Sequence, residues 1–257
     1  MEFNINPVAF HLFGIPVMWY GVLIAIGIVI GSKVASDEIT RRGFSEDDLW
    51  DGLIWAIIAG VICARLYYVA FEWEYYGAHP AEIFNIRGGG LAIHGALLGG
   101  ILAFGIYAKK RGLPLTLFLD ITAPGVILAQ SIGRWGNFIN QEAHGGPTDL
   151  PWGIIIDGVK VHPTFLYESI GDFLIFWILL WFARNKHEHD GEVFYLYMIF
   201  YGIVRFFVEG LRTDSLMLGS RRVAQLVSIA GILCGLFLFL RARKKNLPLT
   251  KQEKTAK

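Results

Sequence analysis

The sequence predicts an all-α integral membrane protein of about seven transmembrane helices, and three observations carry that expectation. Of its 257 residues, 54% are hydrophobic and 14% aromatic, with a mean hydropathy of +0.47, more apolar than a soluble domain of this size. Apolar runs of about 20 residues, the length that crosses a hydrocarbon layer, recur along the chain. Basic residues gather beside alternate runs instead of spreading evenly.

The first run, 15–34, contains Trp19-Tyr20, which reads as an interfacial aromatic belt, and is followed by Lys33, Arg41 and Arg42. No Lys or Arg precedes it and no cleavage pattern follows its apolar stretch, so the N-terminus is expected to be retained. The second run covers 49–71, and the third, 91–108, lies between Arg87-Gly88-Gly89-Gly90 and Lys109-Lys110-Arg111. The fourth, 113–133, is the most polar, with Asp120, Pro124 and Gln130, yet leaving it out would strand a long apolar segment. The fifth, 165–183, enters through His162-Pro163-Thr164, with Thr164 placed as an N-cap, and ends beside Arg184 and Lys186. The sixth is 193–209, and the seventh, 223–240, runs into the basic stretch 241–245.

The basic ends of the odd-numbered runs place those ends in the cytoplasm, the N-terminus outside and the C-terminus inside. Arg205, Arg212, Arg221 and Arg222 then lie on the outer side, against the rule, and need a reason other than topology. The outer loop 139–164 is rich in Gly and Pro, and GIIIDGVKVHP reads as a β-hairpin around Asp157-Gly158, a small extracytoplasmic cap. Residues 1–245 are expected to form one polytopic domain, with 246–257 a polar, disordered cytoplasmic tail.

Charged residues make up only 18% and the net charge is +1, so no basic field points to nucleic acid. Cys63 and Cys234 lie inside apolar runs and read as small hydrophobes. The sequence has no zinc-protease, Walker or GxSxG motif and no metal-ligand spacing, so neither metal nor cofactor is expected.

An ionisable group in a membrane helix costs roughly 2.5–3.5 kcal/mol near the centre, so such groups tend to face a cavity, a partner or a substrate. Tyr201, Arg205 and Glu209 recur every four residues on one helical face, joined by Arg212 if the helix continues. A plain Arg205–Glu209 pair at a helix end would give the same pattern. Arg134, Asn137 and Gln141 share another face if the helix persists that far, and Gly133 and Gly136 beside them allow close approach. Guanidinium groups beside amides suit an oxyanion such as phosphate. The glycines before His94 would expose backbone N–H groups at a helix start, and His94, about one turn deep, has the chemistry of a proton acceptor or of a structural histidine. These features converge on the outer side, which points to a site for an anionic headgroup.

GRWGNFINQEAHG at 133–145, GGGLAIHG at 88–95, WYG at 19–21, HPTFLYES at 162–169 and YGIVRFFVEGLR at 201–212 resemble the bacterial phosphatidylglycerol:prolipoprotein diacylglyceryl transferases, over nearly the whole chain. Trp135 and Gln141 occupy variable positions of the motif. The resemblance implies a seven-span inner-membrane enzyme with its site toward the extracytoplasmic side. It would transfer diacylglyceryl from phosphatidylglycerol to the lipobox cysteine of a prolipoprotein signal peptide, forming a thioether and releasing glycerol 1-phosphate. It further implies functional positions at Tyr20, His94, Arg134, Asn137, Glu142, Gly145, Tyr201, Arg205 and Glu209. In these terms Arg134 and Arg205 hold the phosphate, His94 is a candidate base for the thiol, and Glu142 and Glu209 orient the arginines. Tyr20, Asn137 and Tyr201 hydrogen-bond membrane lipid or partners. An arginine-assisted path for the thiol proton stays open. The alternative is a lipid or anion transporter, or a lipid-binding membrane protein without chemistry. The absence of an internal repeat and the gathering of polar groups at one face weigh against it.

Overall fold

A computed structural model of the chain describes residues 5–86 and 89–250. Arg87 and Gly88 of the glycine-rich stretch, the first four residues and the tail from 251 lie outside them. Strands β1 (Val8–Leu12) and β2 (Ile15–Met18) form an antiparallel hairpin that leads into α1 (Trp19–Arg41). Helix α2 (Glu46–Phe71) is followed by the short α3 (Trp73–Ala78), a 3-10 turn (Pro80–Phe84), α4 (Ile93–Lys110) and α5 (Leu115–Ile139). The hairpin β3 (Ile154–Ile156) with β4 (Val159–Val161) precedes α6 (Thr164–Asn185) and α7 (Glu192–Leu211). A last hairpin, β5 (Met217–Leu218) with β6 (Arg221–Arg222), enters α8 (Val223–Lys244). Among the described residues, five helices (α2, α5, α6, α7 and α8) are long and apolar enough to cross a membrane. Their outward side chains agree: Val227, Leu233, Phe237 and Leu240 of α8 are all more than half exposed, a pattern that suits lipid and not water.

The Asp157-Gly158 hairpin forms as expected, with both turn residues at positive φ (50° and 76°), the backbone a two-residue type I′ turn requires. The first run is corrected: residues 15–18 belong to β2, and the helix begins only at Trp19. A short apolar run does not by itself distinguish strand from helix, and the turn at Phe13 (φ 51°) and Gly14 (φ 79°) decides the matter.

The chain forms two compact units, the first within Met1–Glu38 and Leu119–Thr250, the second within Ile39–Phe118. In the first unit, small residues let helix backbones touch, which supplies the packing that hydrophobicity cannot supply inside lipid. A Cβ on Gly31 of α1 would stand 2.6 Å from the carbonyl oxygen of Gly125 on α5, and one on Gly235 of α8 would stand 2.8 Å from that of Tyr195 on α7. Ser131 of α5 and Ser169 of α6 donate to each other's backbone carbonyls at 2.8 and 2.9 Å. Ile127, Leu179 and Val193 fill the centre of the apolar core. Asp120, the acidic residue of the fourth run, accepts from the amides of Gly191 (2.7 Å) and Phe194 (3.0 Å) and lies 3.1 Å from His187 Nε2. A carboxylate at the N-terminus of α7 satisfies orphan amides and complements the helix dipole, which explains an acid in an apolar helix. Near the C-terminus, the Leu247 carbonyl lies 2.6 Å from His189 Nδ1 and Thr250 bonds Asp190.

In the second unit α2 packs on α4 through Gly95 and Gly99, whose added Cβ atoms would run into Cys63 and Ala64. Ser45 caps α2, its Oγ accepting from Asp47 N at 3.2 Å. Arg65 of α2 donates to four backbone carbonyls, those of Glu82, Ile83, Gly89 and Gly90, at 2.6–2.9 Å. Gly89 and Gly90 stand at φ 91° and 73°, so the described part of the glycine stretch presents carbonyls to Arg65 instead of forming an N–H cradle. Helix α4 begins at Ile93, which puts His94 in its first turn, exposed, with its ring 6.1 Å from that of Tyr67.

Candidate functional site

Three helices of the first unit bring the arginines together. Helix α5 runs to Ile139, past the apolar limit of its sequence run, because Arg134 is neutralised inside the protein. Arg134 Nη2 lies 2.7 Å from Glu168 Oε1 on α6, and Arg205 Nη1 on α7 lies 3.3 Å from Glu168 Oε2. Arg205 Nη2 also pairs with Glu209 Oε2 at 2.6 Å, one turn along α7. The side chains of Glu168 and Glu209 are 2% exposed, whereas those of Arg134 and Arg205 keep 21% and 18%, so the guanidinium groups form the accessible part of the cluster. Burial of both carboxylates is tolerable only because each is paired.

Glu168 was missed from sequence. It lies in HPTFLYES, four residues into an apolar helix, where an acid is itself a site signal. Thr164 is no side-chain cap: its hydroxyl donates to the Ala143 carbonyl at 2.6 Å, tying α6 to the loop after α5. Among the described residues no hydrogen bond joins Glu142 to an arginine; its Oε1 accepts from Asn137 Nδ2 (3.0 Å) and Asn140 Nδ2 (3.3 Å). Asn137 in turn accepts from Arg134 Nη1 at 3.5 Å, so Glu142 reaches the cluster through one amide. Glu209 lies on Arg205 directly.

Two supposed face-sharing residues fall off their helices. Gln141 follows the end of α5 at φ 54°, and Arg212 is the extended residue after α7. Arg212 instead pairs with Asp214 through two hydrogen bonds of 2.9 and 2.7 Å, which hold the Asp214 carboxyl below the usual carboxylate range. Gly145 pairs with Arg212 in a β-bridge, and its amide donates to His162 O at 2.9 Å. A Cβ there would stand 2.6 Å from His162 Cβ and 3.1 Å from Leu211 O, so the loop closes on α7 only with glycine. Tyr201 stacks on Tyr197 at 5.7 Å, and Tyr197 donates to Gln130 Oε1 at 3.2 Å. Tyr20 of α1 lies against Gly136 of α5, where any side chain would collide with its ring. The first unit therefore gathers Tyr20, Arg134, Asn137, Glu142, Gly145, Tyr201, Arg205 and Glu209, while His94 belongs to the second.

Membrane-length helices that hold two arginines on buried carboxylates define a multi-pass membrane protein with a centre suited to an anion. The model of the family described as prolipoprotein diacylglyceryl transferase matches residues 7–241. The phosphatidylglycerol–prolipoprotein diacylglyceryl transferase of Clostridioides difficile is 56% identical over 241 residues, covering 94% of this chain and 97% of its own. The protein of the same name from Finegoldia magna is 52% identical (93% and 97% covered), and that from Clostridium novyi 48% (96% and 100%). The chain belongs to the prolipoprotein diacylglyceryl transferase family, a family of bacterial membrane transferases.

Proposed function

We propose that this chain transfers the diacylglyceryl group of phosphatidylglycerol to the lipobox cysteine of prolipoproteins, with Arg134 and Arg205 as the phosphate clamp. The observation that carries the clamp is the carboxylate of Glu168 shared between the two arginines at 2.7 and 3.3 Å. Groups that grip one oxyanion between them suit another, and an incoming phosphate diester competes with Glu168 for the same guanidinium nitrogens.

In the transfer, the cysteine sulfur attacks the diacylglyceryl carbon that carries the phosphate ester. The carbon–oxygen bond breaks, a thioether forms, and glycerol phosphate leaves with the bonding electron pair. Charge on the phosphate therefore grows as the bond breaks, and fixed guanidinium groups favour that state over the bound diester. The thiol proton goes to His94, whose neutral imidazole carries a ring nitrogen lone pair able to accept it. Glu209 orients Arg205, Asn137 and Glu142 steady Arg134, and Tyr20, Gly145 and Tyr201 shape the lipid site.

In this reading α1 and α4 join the five apolar helices to make seven spans in the inner membrane, forming one domain. The basic residues after α1, α4, α6 and α8 favour a cytoplasmic position for those ends, an outside N-terminus and an extracytoplasmic site. The test is the purified chain with phosphatidylglycerol labelled in its acyl chains and a lipobox peptide. One labelled diacylglyceryl group per cysteine and one glycerol phosphate per transfer support the reading. Bound lipid with no thioether would instead leave a lipid-binding protein without chemistry.

A further inference from the structure

One turn beyond Glu168 on α6, Asp172 is 0% exposed, and among the described residues neither of its carboxylate oxygens has a hydrogen-bond partner. It lies within electrostatic reach of Arg134, Arg205 and Glu168. The neighbouring polar groups are already committed: Ser131 and Ser169 bond each other, Trp135 Nε1 donates to Ser169 Oγ at 3.2 Å, and Arg205 is held by Glu168 and Glu209. Arg134 Nε is likewise buried without an acceptor. Glu168 Oε1 also lacks a hydrogen bond but is met by Arg134 as an ion pair; the two Asp172 oxygens and Arg134 Nε have no such compensation, which is rare for buried groups because each unmet one is costly.

A ligand that meets both needs must accept a hydrogen bond at one end and donate two at the other. The headgroup of phosphatidylglycerol, the lipid in the relatives' name, combines a phosphate with a glycerol that bears neighbouring hydroxyls. Both oxygens of a carboxyl group can accept hydrogen bonds, and the pair matches two adjacent hydroxyls as it matches the two prongs of a guanidinium.

We propose that Asp172 is the specificity-determining residue for the headgroup: it accepts hydrogen bonds from the glycerol hydroxyls while a phosphate oxygen accepts from Arg134 Nε. The proposal rests on the transfer reading above and adds a selector that the phosphate clamp lacks, since two arginines alone grip the phosphate of any phospholipid. Binding then draws on the same face of α6 twice, with Glu168 displaced from the arginines by phosphate and Asp172 engaged one turn further along.

The test compares phosphatidylglycerol with phosphatidylpropanol, which has the same acyl chains and phosphate but no headgroup hydroxyl, on the parent chain and on Asp172→Asn. Affinity is measured without peptide and transfer with it. The parent is expected to favour phosphatidylglycerol by about tenfold or more in affinity, the loss that follows when a buried polar group is left without its hydrogen bonds. Asp172→Asn should weaken phosphatidylglycerol and leave phosphatidylpropanol unchanged, so that the preference falls to about threefold or less. A parent chain that binds the two lipids equally overturns the proposal without any variant. A variant that keeps the parental preference, or weakens both lipids alike, overturns it too and makes Asp172 structural. Headgroup discrimination in binding without any transfer would support Asp172 and sink only the transfer reading.

Discussion

Arg134 and Arg205 come from different helices, α5 and α7, yet each places a guanidinium nitrogen on the same buried carboxylate of Glu168 on α6, at 2.7 and 3.3 Å. This arrangement makes Glu168 the keystone of the cluster. Removing one member of a buried pair leaves the other charge uncompensated, at a cost of about 3–5 kcal/mol when burial is complete. The arginines retain some exposure, so Glu168→Gln should lower stability by about 3 kcal/mol. Thermal unfolding in detergent measures the loss, and a variant as stable as the parent would show that the shared carboxylate holds nothing together.

His94 is predicted to act on the thiol proton and not on the lipid. His94→Gln should fold, bind phosphatidylglycerol normally and lose about a hundredfold or more in transfer, the range for a positioned base. Raising the pH toward the ordinary cysteine pKa of about 8.5 should recover part of that loss, because the acceptor then ionises unaided. Rates measured across pH decide this: near-parental turnover at neutral pH would leave thiol activation to the field of the two arginines.

Orientation is read from reporter fusions. An alkaline phosphatase domain, active only outside the cytoplasm, should be inactive when joined after Lys245 and active when inserted in the 145–160 loop. The reverse pattern would put the arginine cluster on the cytoplasmic side.

The Arg212–Asp214 pair gives a pH dependence of defined sign. Because Arg212 holds the Asp214 carboxyl below its ordinary value, the pair contributes stability above the ordinary pKa of about 3.9 and loses it as pH falls through the depressed value. Asp214 is half exposed, which limits the contribution to about 0.5 kcal/mol. Unfolding curves of Asp214→Asn and the parent should therefore differ slightly at pH 7 and converge in acid; a gap that widens on acidification contradicts the pairing.

Hydropathy located the long helices because lipid imposes a length and a composition that few soluble sequences meet, and the Asp157-Gly158 turn was legible because a type I′ turn needs those residues. What escaped depended on partners distant in sequence. The acid that joins Arg134 to Arg205 sits on α6, and i, i+4 spacing within α7 revealed Glu209 but had no means of revealing Glu168. The ends of helices were overextended for a related reason: Gln141 and Arg212 continue a helical pattern on paper, but loop contacts through Gly145 and Asp214 turn the chain before they join the face. Nothing in the spacing of the fifth apolar run marks Asp172; its two oxygens without hydrogen-bond partners are a property of the packed helices alone.

The most direct measurement of the arginine clamp is transfer by Arg134→Lys and Arg205→Lys, each purified and shown to be folded. Lysine keeps the positive charge but loses the planar fork that grips two oxygens of one phosphate. The clamp predicts that each variant loses about a hundredfold or more in transfer, as removal of an oxyanion-stabilising donor does elsewhere, and also binds phosphatidylglycerol more weakly. Transfer and lipid affinity near the parental values in both variants would contradict it, and would reduce Arg134 and Arg205 to charges that balance Glu168 and Glu209 inside the helix bundle.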